Sequence, residues 1–134
     1  EGSQYETMKR FIKYQLPAII WMVLIFTLSS RQRIGVSEEY WMNFAFFKSL
    51  HVIEYAILYL LILRALASGR TIKKKQYVSA FVLTVLYAIS DEMHQTFVPT
   101  REGTLRDVAI DTVGAFAAMS AVKSQKIPLL KYFL

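Results

Sequence analysis

The residue types that can carry out chemistry are concentrated between residues 91 and 111, in a chain that is 54% hydrophobic. The charged or ionisable members of this segment include Asp91, Glu92, His94, Arg101, Asp107 and Asp111. Carboxylates and imidazole can transfer protons or bind a divalent cation, and a guanidinium can bind a carboxylate or a phosphate. Because charge is costly in an apolar setting, the segment is a candidate functional site.

Helical spacing divides this segment into two faces. Asp91 and Gln95 are four residues apart and share one face, whereas Glu92 points about 100° away. Asp91 and Glu92 are therefore not expected to act as one carboxylate pair. A turn begins at Pro99, and Arg101 follows it. Arg101 is expected to form an internal pair with Glu92, Asp107 or Asp111, and the alternative is a phosphate ligand.

A second acidic face follows the turn. Asp107, Asp111 and Gly114 recur at i, i+4 and i+7, so one helical face carries two carboxylates and a gap for close helix contact. Asp107 lies in the first helical turn, where the helix dipole favours a negative charge. Asp111 lies a turn deeper and needs a partner or a proton. Its expected partners are Arg101, Lys48 and His51.

An earlier segment offers the complementary groups. Lys48, His51 and Tyr55 share a helical face at i, i+3 and i+7. The structural interpretation is a lysine reaching the membrane interface and a histidine bonded between helices. The functional interpretation pairs His51 with a carboxylate of a later helix, as an acid/base couple or a metal ligand.

Four apolar segments must position these residues: Phe11–Ser30, Lys48–Ala67, Gln76–Ser90 and Asp107–Val122. Their lengths are close to the ~20 residues that cross a bilayer. We predict an all-α, polytopic membrane protein with four transmembrane helices in a compact bundle. Aromatic residues in the first outer loop, 31–47, favour a short interfacial or re-entrant helix there.

The distribution of basic residues sets the expected orientation. Most of the 16 Lys and Arg residues fall on one side if both termini are cytoplasmic, as the positive-inside rule requires. The Lys73–Lys75 run is then a topology anchor, with a lipid-headgroup site as the alternative. Polar residues of all four segments fall on the outer side, so they are expected to converge near the outer membrane face.

Composition limits the number of domains, the kinds of metal site and the partners that the chain can have. The 134 residues suit one domain, and the absence of cysteine excludes disulfides and thiolate metal sites. The net charge of +6 is attributed to topology signals, so no nucleic-acid partner is expected. Residues 1–7 are interpreted as a non-native leader, and residues 8–134 as a single transmembrane domain whose first segment is a retained anchor.

The motifs resemble the VanZ-like family of small bacterial membrane proteins. The resemblance rests on K-x-x-H-x-x-x-Y (48–55), D-E-x-H-Q-x-F-x-P-x-R (91–101) and D-x-x-x-D-x-x-G (107–114), with Ser29–Ser30 in addition. Two positions depart from the family pattern: Thr100 stands where glycine is common, and Asp111 where asparagine is frequent. The resemblance implies a link to low-level resistance to the glycopeptide teicoplanin.

Three functions remain open at this point. The first is a non-enzymatic envelope protein whose polar site meets membrane lipid, a lipid-linked cell-wall precursor or a glycopeptide. The second is a membrane-embedded enzyme acting on a lipid-linked headgroup, and the third is a small transporter or oligomeric channel. The ligand-binding candidates are Lys48, His51, Tyr55, Asp91, Glu92, Gln95, Arg101, Asp107 and Asp111. The catalytic candidates are His51, Glu92, Asp107 and Asp111. No cofactor is required, but the enzyme hypothesis admits Mg²⁺, Mn²⁺ or Zn²⁺.

Overall fold

The computed structural model describes residues 2–31, 40–101 and 103–124, and this part of the chain is entirely helical outside its turns. Its elements are α1 (Gly2–Arg10), a π-helical turn (Phe11–Gln15), α2 (Leu16–Ser29), α3 (Tyr40–Ala67), α4 (Lys74–Gln95) and α5 (Leu105–Lys123). The all-α prediction is confirmed for these residues. The helices also run beyond most of the predicted apolar segments, because polar residues extend their ends.

The first helical rod contains a local change of winding. α1 runs through the π-helical turn into α2 without a break, and the amide of Leu16 donates to the carbonyl of Phe11, five residues earlier. Pro17 follows at the start of α2. Proline has no amide hydrogen and its ring crowds the preceding turn, so the wider π winding accommodates it.

The start of α3 differs from the prediction. A separate interfacial helix was expected within residues 31–47, but Tyr40 to Phe47 form the first two turns of one continuous 28-residue helix. For these residues the prediction of a separate helix is wrong. No proline or glycine lies between Tyr40 and Ala67, so nothing in the sequence interrupts the helix between the aromatic run and the apolar segment that follows it. The rest of that predicted helix, residues 32–39, lies outside the described residues.

Small residues allow the helices to approach closely. A methyl group added at Gly114 of α5 would overlap the carbonyl of Val52 on α3, so these two backbones are in close contact. The predicted gap at Gly114 is thus confirmed. Alanines occupy other buried positions of α4 and α5, namely Ala80, Ala88, Ala115 and Ala118. Small residues at helix contacts are typical of packing within membranes.

Side-chain hydrogen bonds attach α2 to the other helices. The indole of Trp21 donates to the carbonyl of Glu54 on α3 at 3.0 Å. The hydroxyl of Tyr87 on α4 donates to the carbonyl of Met22 at 2.6 Å. α2 therefore packs as part of the bundle, against both α3 and α4.

Much of the bundle surface is apolar. Within the described residues, two helices are long and apolar enough to cross a membrane, Gly2–Ser29 with a mean hydropathy of 1.7 and Trp41–Ala67 with 1.8. Only 11% of the most apolar window of the first helix is buried, and 39% of that of the second. A core helix of a soluble protein would be mostly buried, so this exposure is what a lipid-facing surface requires.

Candidate functional site

Polar residues of four helices meet at one end of the bundle. They come from the end of α2, the third to fifth turns of α3, the end of α4 and the start of α5. We call the buried acids Asp91, Glu92, Asp107 and Asp111 the carboxylate cluster. The predicted convergence of polar residues from four separate segments is therefore found in the structure.

The first pair in this region joins α3 to α5. The ammonium of Lys48 lies 2.7 Å from Oδ1 of Asp107, and both side chains are less than a tenth exposed. Arg106 also approaches Asp107, at 3.7 Å, but its side chain is 65% exposed. The Lys48 pair is the buried one, and it neutralises Asp107 inside the protein.

The second pair lies one turn deeper on the same two helices. Nδ1 of His51 lies 3.1 Å from Oδ1 of Asp111, and Asp111 is fully buried. His51 was one of the three partners predicted for Asp111. The ring of Tyr55 is nearly parallel to that of His51, with centroids 6.5 Å apart. Spacing along α3 and α5 therefore stacks two pairs of an acid with a basic side chain in register.

Asp91 is held by donors from three helices. Its Oδ2 accepts from the hydroxyl of Ser29 at 2.9 Å, from that of Tyr55 at 3.2 Å and from the amide of Gln95 at 3.0 Å. Gln95 is on the same face of α4, as predicted from its spacing. Asp91 therefore fixes the ends of α2 and α4 against α3.

Glu92 points away from Asp91 and is bound by a different set of groups. Its Oε2 accepts from the backbone amide of Thr104 at 3.1 Å, and its Oε1 accepts from the amide of Gln95 at 3.1 Å. The loop can approach because residue 103 is glycine: a Cβ there would overlap the carbonyl of Glu92. Gln95 thus connects two acids that do not face each other directly.

Thr104 and Gly103 were not among the candidates from sequence. The Thr104 hydroxyl accepts from the amide of Asp107 at 3.2 Å, so Thr104 is the N-cap of α5. A threonine directly before a helix was the available signal for the cap. The close approach of Gly103 to Glu92 has no comparable sequence signal, because it depends on tertiary packing.

Arg101 ties the turn after α4 to the end of α2. Its guanidinium donates to the carbonyls of Arg31 and Leu28 at 3.0 and 3.2 Å, and to Oε1 of Gln95 at 3.4 Å. These contacts add a charged donor at the C-terminal end of α2, where the last carbonyls of a helix lack the i+4 amides of a continuing helix. The predicted pairing of Arg101 with Glu92, Asp107 or Asp111 stays a prediction.

The cluster carries an excess of negative charge. Among the described residues, four carboxylates and a single lysine are buried here, and the half-buried Arg101 adds one further positive charge. Three buried carboxylate oxygens have no hydrogen-bond partner in the described part of the chain; Oδ1 of Asp107 is ion-paired with Lys48, whereas Oδ1 of Asp91 and Oδ2 of Asp111 lack a partner of either kind. Buried acceptors of this kind normally have one. The arrangement therefore favours an additional cation or donor.

Three side chains of the site can hold a metal ion together. One ligand atom from each of His51, Glu92 and Asp111 lies within 4.8 Å of the other two. Ligand atoms that are about 2.0–2.6 Å from one ion can be separated by up to about that distance. An imidazole nitrogen with two carboxylate oxygens suits Zn²⁺ or Mn²⁺, and Mg²⁺ is compatible with the carboxylate oxygens. We call these three residues the His51 triad.

In the described part of the chain, an exposed apolar surface and two helices that could span a membrane accompany the buried polar site. A sequence model described as VanZ/LLP1 matches residues 4–124, and the chain belongs to that family. Family membership and the two long apolar helices agree in indicating a membrane location. No curated protein and no solved structure matches the chain.

Proposed function

We propose that this chain is a four-span protein of the bacterial envelope whose carboxylate cluster lies at the outer membrane face. In this proposal the cluster binds the polar headgroup of a membrane lipid or lipid-linked cell-wall precursor by means of a divalent cation. The fully buried Asp111 carries the proposal, because one of its oxygens is paired with His51 and the other has no described partner.

The length and surface of α4 and α5 support the additional spans. They have 22 and 19 residues, which correspond to ~33 and ~28 Å at ~1.5 Å per residue and so to a bilayer core of ~30 Å. Their exposed apolar side chains include Val78, Val82, Leu83, Leu86, Ile89, Val113 and Phe116. The acids of both helices face inward, where a membrane protein can tolerate them. A reporter fused after Leu134 is expected to read as cytoplasmic, and an external reading would overturn the orientation.

The pairing of the cations supports a cation-mediated ligand contact. Lys48 is already neutralised by Asp107, and Arg101 is bonded to the carbonyls of Leu28 and Arg31. A phosphate therefore meets an acidic site whose positive groups are engaged within the protein. A metal ion on the His51 triad compensates the acids. With three protein ligands, it retains a coordination position for an oxygen of the headgroup.

Metal binding by purified protein tests this proposal. We expect the full chain in detergent to bind about one Zn²⁺ or Mn²⁺ in calorimetric titration. Asp111→Asn should weaken that binding by at least about tenfold, because a neutral amide is a poorer ligand than a carboxylate. The fold should persist, since the asparagine oxygen can still accept from His51. The thermal midpoint of the apo protein, measured beside each titration, checks this.

Glu54→Gln provides the matched control. Glu54 is a half-buried carboxylate on α3, close in sequence to His51 but outside the triad. This substitution should leave metal affinity within about twofold. Absence of divalent-ion binding, or equal weakening by Glu54→Gln and Asp111→Asn, would contradict a site formed by the triad.

The second candidate function is a membrane-embedded enzyme acting on the same headgroup. The His51–Asp111 pair favours it, because an imidazole oriented by a carboxylate can accept a proton. Metal binding and turnover separate the two candidates. Release of a headgroup from a lipid-linked phosphate by the wild type, lost in His51→Gln, would establish the enzyme. Binding without product over long incubation would favour the non-enzymatic function.

A link to glycopeptide resistance belongs to the same proposal, and membership of the VanZ/LLP1 family is consistent with it. Expression of the wild-type chain in a susceptible host should then raise the inhibitory concentration of teicoplanin, and Glu92→Gln should abolish the rise. A rise that Glu92→Gln leaves intact would separate resistance from the carboxylate cluster.

A further inference from the structure

The opposite end of the bundle contains a basic cleft that the proposed function does not use. It has a volume of about 570 Å³ and lies where the end of α1, the turn after α3 and the start of α4 meet. We define the basic cleft by its four cationic lining residues: Arg10, Arg70, Lys73 and Lys75. None of the described residues that line it is acidic.

The walls of the basic cleft are held by internal hydrogen bonds. Gln76 bridges two helices, because its oxygen accepts from the backbone amide of Lys73 and its amide donates to the carbonyl of Leu66, both at 2.7 Å. On the other wall Arg10 donates to the carbonyl of Ser68 at 3.0 Å. The concave shape therefore comes from bonded backbone segments and does not depend on the lysine side chains.

The turn after α3 adds a further constraint. Ser68 and Gly69 both have positive φ angles, 48° and 75°, so the chain reverses sharply between α3 and α4. A Cβ at Gly69 would overlap the hydroxyl of Tyr14. This reversal places Arg70 and Lys73 at the same cleft as Arg10, which is distant in sequence.

The charges of the basic cleft are not balanced within the described chain. The ammonium groups of Lys73 and Lys75 and the guanidinium of Arg70 form no ion pair with a described carboxylate. The nearby Glu6 lies 3.9 Å from Lys9, which is not a lining residue of the basic cleft. Like charges around one cavity repel each other, so an anion would stabilise the arrangement.

We propose that the basic cleft is a binding site for a phosphate group, independent of the carboxylate cluster. Lysine and arginine are the residues that bind phosphate oxygens. Phe11, Leu66 and Ala67 also line the cleft, so an apolar surface adjoins the cations. That combination fits the phosphate of an anionic lipid together with the first carbons of its tails. A soluble phosphate ester would use the same cationic groups alone.

Neighbouring lysines allow a test that separates a site from general surface charge. Lys74 is exposed like Lys73 and Lys75, but it does not line the basic cleft. The variants are Lys73→Gln with Lys75→Gln, and Lys74→Gln as the matched control. The full-length protein in neutral detergent is titrated with phosphatidylglycerol, phosphatidylcholine and glycerol phosphate, and bound lipid is counted by native mass spectrometry.

We expect phosphatidylglycerol to bind the wild type with one preferred site, and phosphatidylcholine to bind more weakly. Each cleft lysine should contribute about fivefold in affinity, so the double variant loses about 25-fold, and Lys74→Gln stays within about twofold. Competition by glycerol phosphate at low millimolar concentration would identify a soluble ester as the ligand, and absence of competition would identify the lipid.

Two results would overturn the proposal. The first is a loss of affinity in Lys74→Gln that equals the loss per lysine in the double variant. That result would mean that the lipid is attracted to a charged surface and not to the cleft. The second is a wild type that binds neither phosphatidylglycerol nor glycerol phosphate more tightly than it binds phosphatidylcholine. Metal binding at the His51 triad is expected to be unchanged in the double variant and in Lys74→Gln, so the outcome here is separate from that of the proposed function.

Discussion

The two ends of the bundle carry opposite charge in opposite surroundings. At one end the carboxylate cluster is buried, and each acid is bonded to a named group on another element or on its own helix. At the other end the basic cleft is open, and Lys73 and Lys75 are exposed. Charge therefore holds helices together at the first end and faces outward at the second.

This difference predicts how each end responds to substitution. A buried charge whose partner is removed has lost its hydration as well as its pairing, so the cost is several kcal/mol. An exposed charge retains water, so its removal changes folding little and changes binding instead. Variants at the carboxylate cluster should therefore affect stability, whereas variants at the basic cleft should affect affinity.

The largest expected effect comes from breaking the Lys48–Asp107 pair. Lys48→Met should lower the free energy of unfolding by about 3 kcal/mol, because it leaves Asp107 buried with only the exposed Arg106 nearby. The measurement is chemical denaturation of the detergent-solubilised protein. Arg106→Gln is the matched control on the same carboxylate, and a cost of less than about 0.5 kcal/mol is expected for it.

A comparison across the two ends extends this prediction. Lys74→Gln should also cost less than about 0.5 kcal/mol, although it removes the same charge as Lys48→Met. A similar loss in both variants would mean that the Lys48 side chain is hydrated in solution, and the contrast between buried and exposed charge would not hold.

The next largest effect compares Gly114, one turn beyond Asp111 on α5, with Gly69, in the turn after α3. Gly114→Ala should cost about 2 kcal/mol, because the added methyl meets the backbone of Val52 and the helices α3 and α5 must separate. Gly69→Ala meets the hydroxyl and the ring carbon Cζ of Tyr14, a side chain that can move aside, and its cost of about 1 kcal/mol comes from the positive φ. Thermal midpoints of both variants check the order. A larger loss in Gly69→Ala would indicate that the turn, and not the α3–α5 contact, limits stability.

Several features of the carboxylate cluster were predictable because they depend on helical periodicity. Spacing alone placed Lys48 with His51 on one face and Asp107 with Asp111 and Gly114 on another. Burial of Asp111 then required a proton or a partner among Arg101, Lys48 and His51, and the structure selects His51, whereas Lys48 pairs with Asp107 instead. The separation of Asp91 from Glu92 followed from the angle per residue.

Other features were not predictable, because they depend on backbone atoms or on loop shape. The guanidinium of Arg101 donates to the carbonyls of Leu28 and Arg31, and a carbonyl leaves no mark in the sequence. For the Lys73–Lys75 run a lipid-headgroup site was the alternative to a topology anchor, but the cavity that these lysines share with Arg10 and Arg70 was not predictable, since the run indicates orientation equally well without it. Only the reversal after α3 brings Arg10 to those lysines.

The smallest effect concerns the turn beside the carboxylate cluster. Thr100 has a φ of 67°, in the left-handed region that glycine adopts without strain. Thr100→Gly should therefore be more stable than Thr100→Ala by about 1 kcal/mol, because both variants lose the side chain but only glycine relieves the backbone. At the other end the equivalent position is already glycine, Gly69. Thermal midpoints of the two Thr100 variants provide the measurement. Equal midpoints would mean that the turn relaxes around alanine, and the carboxylate cluster would then be held by its side-chain bonds without help from this turn.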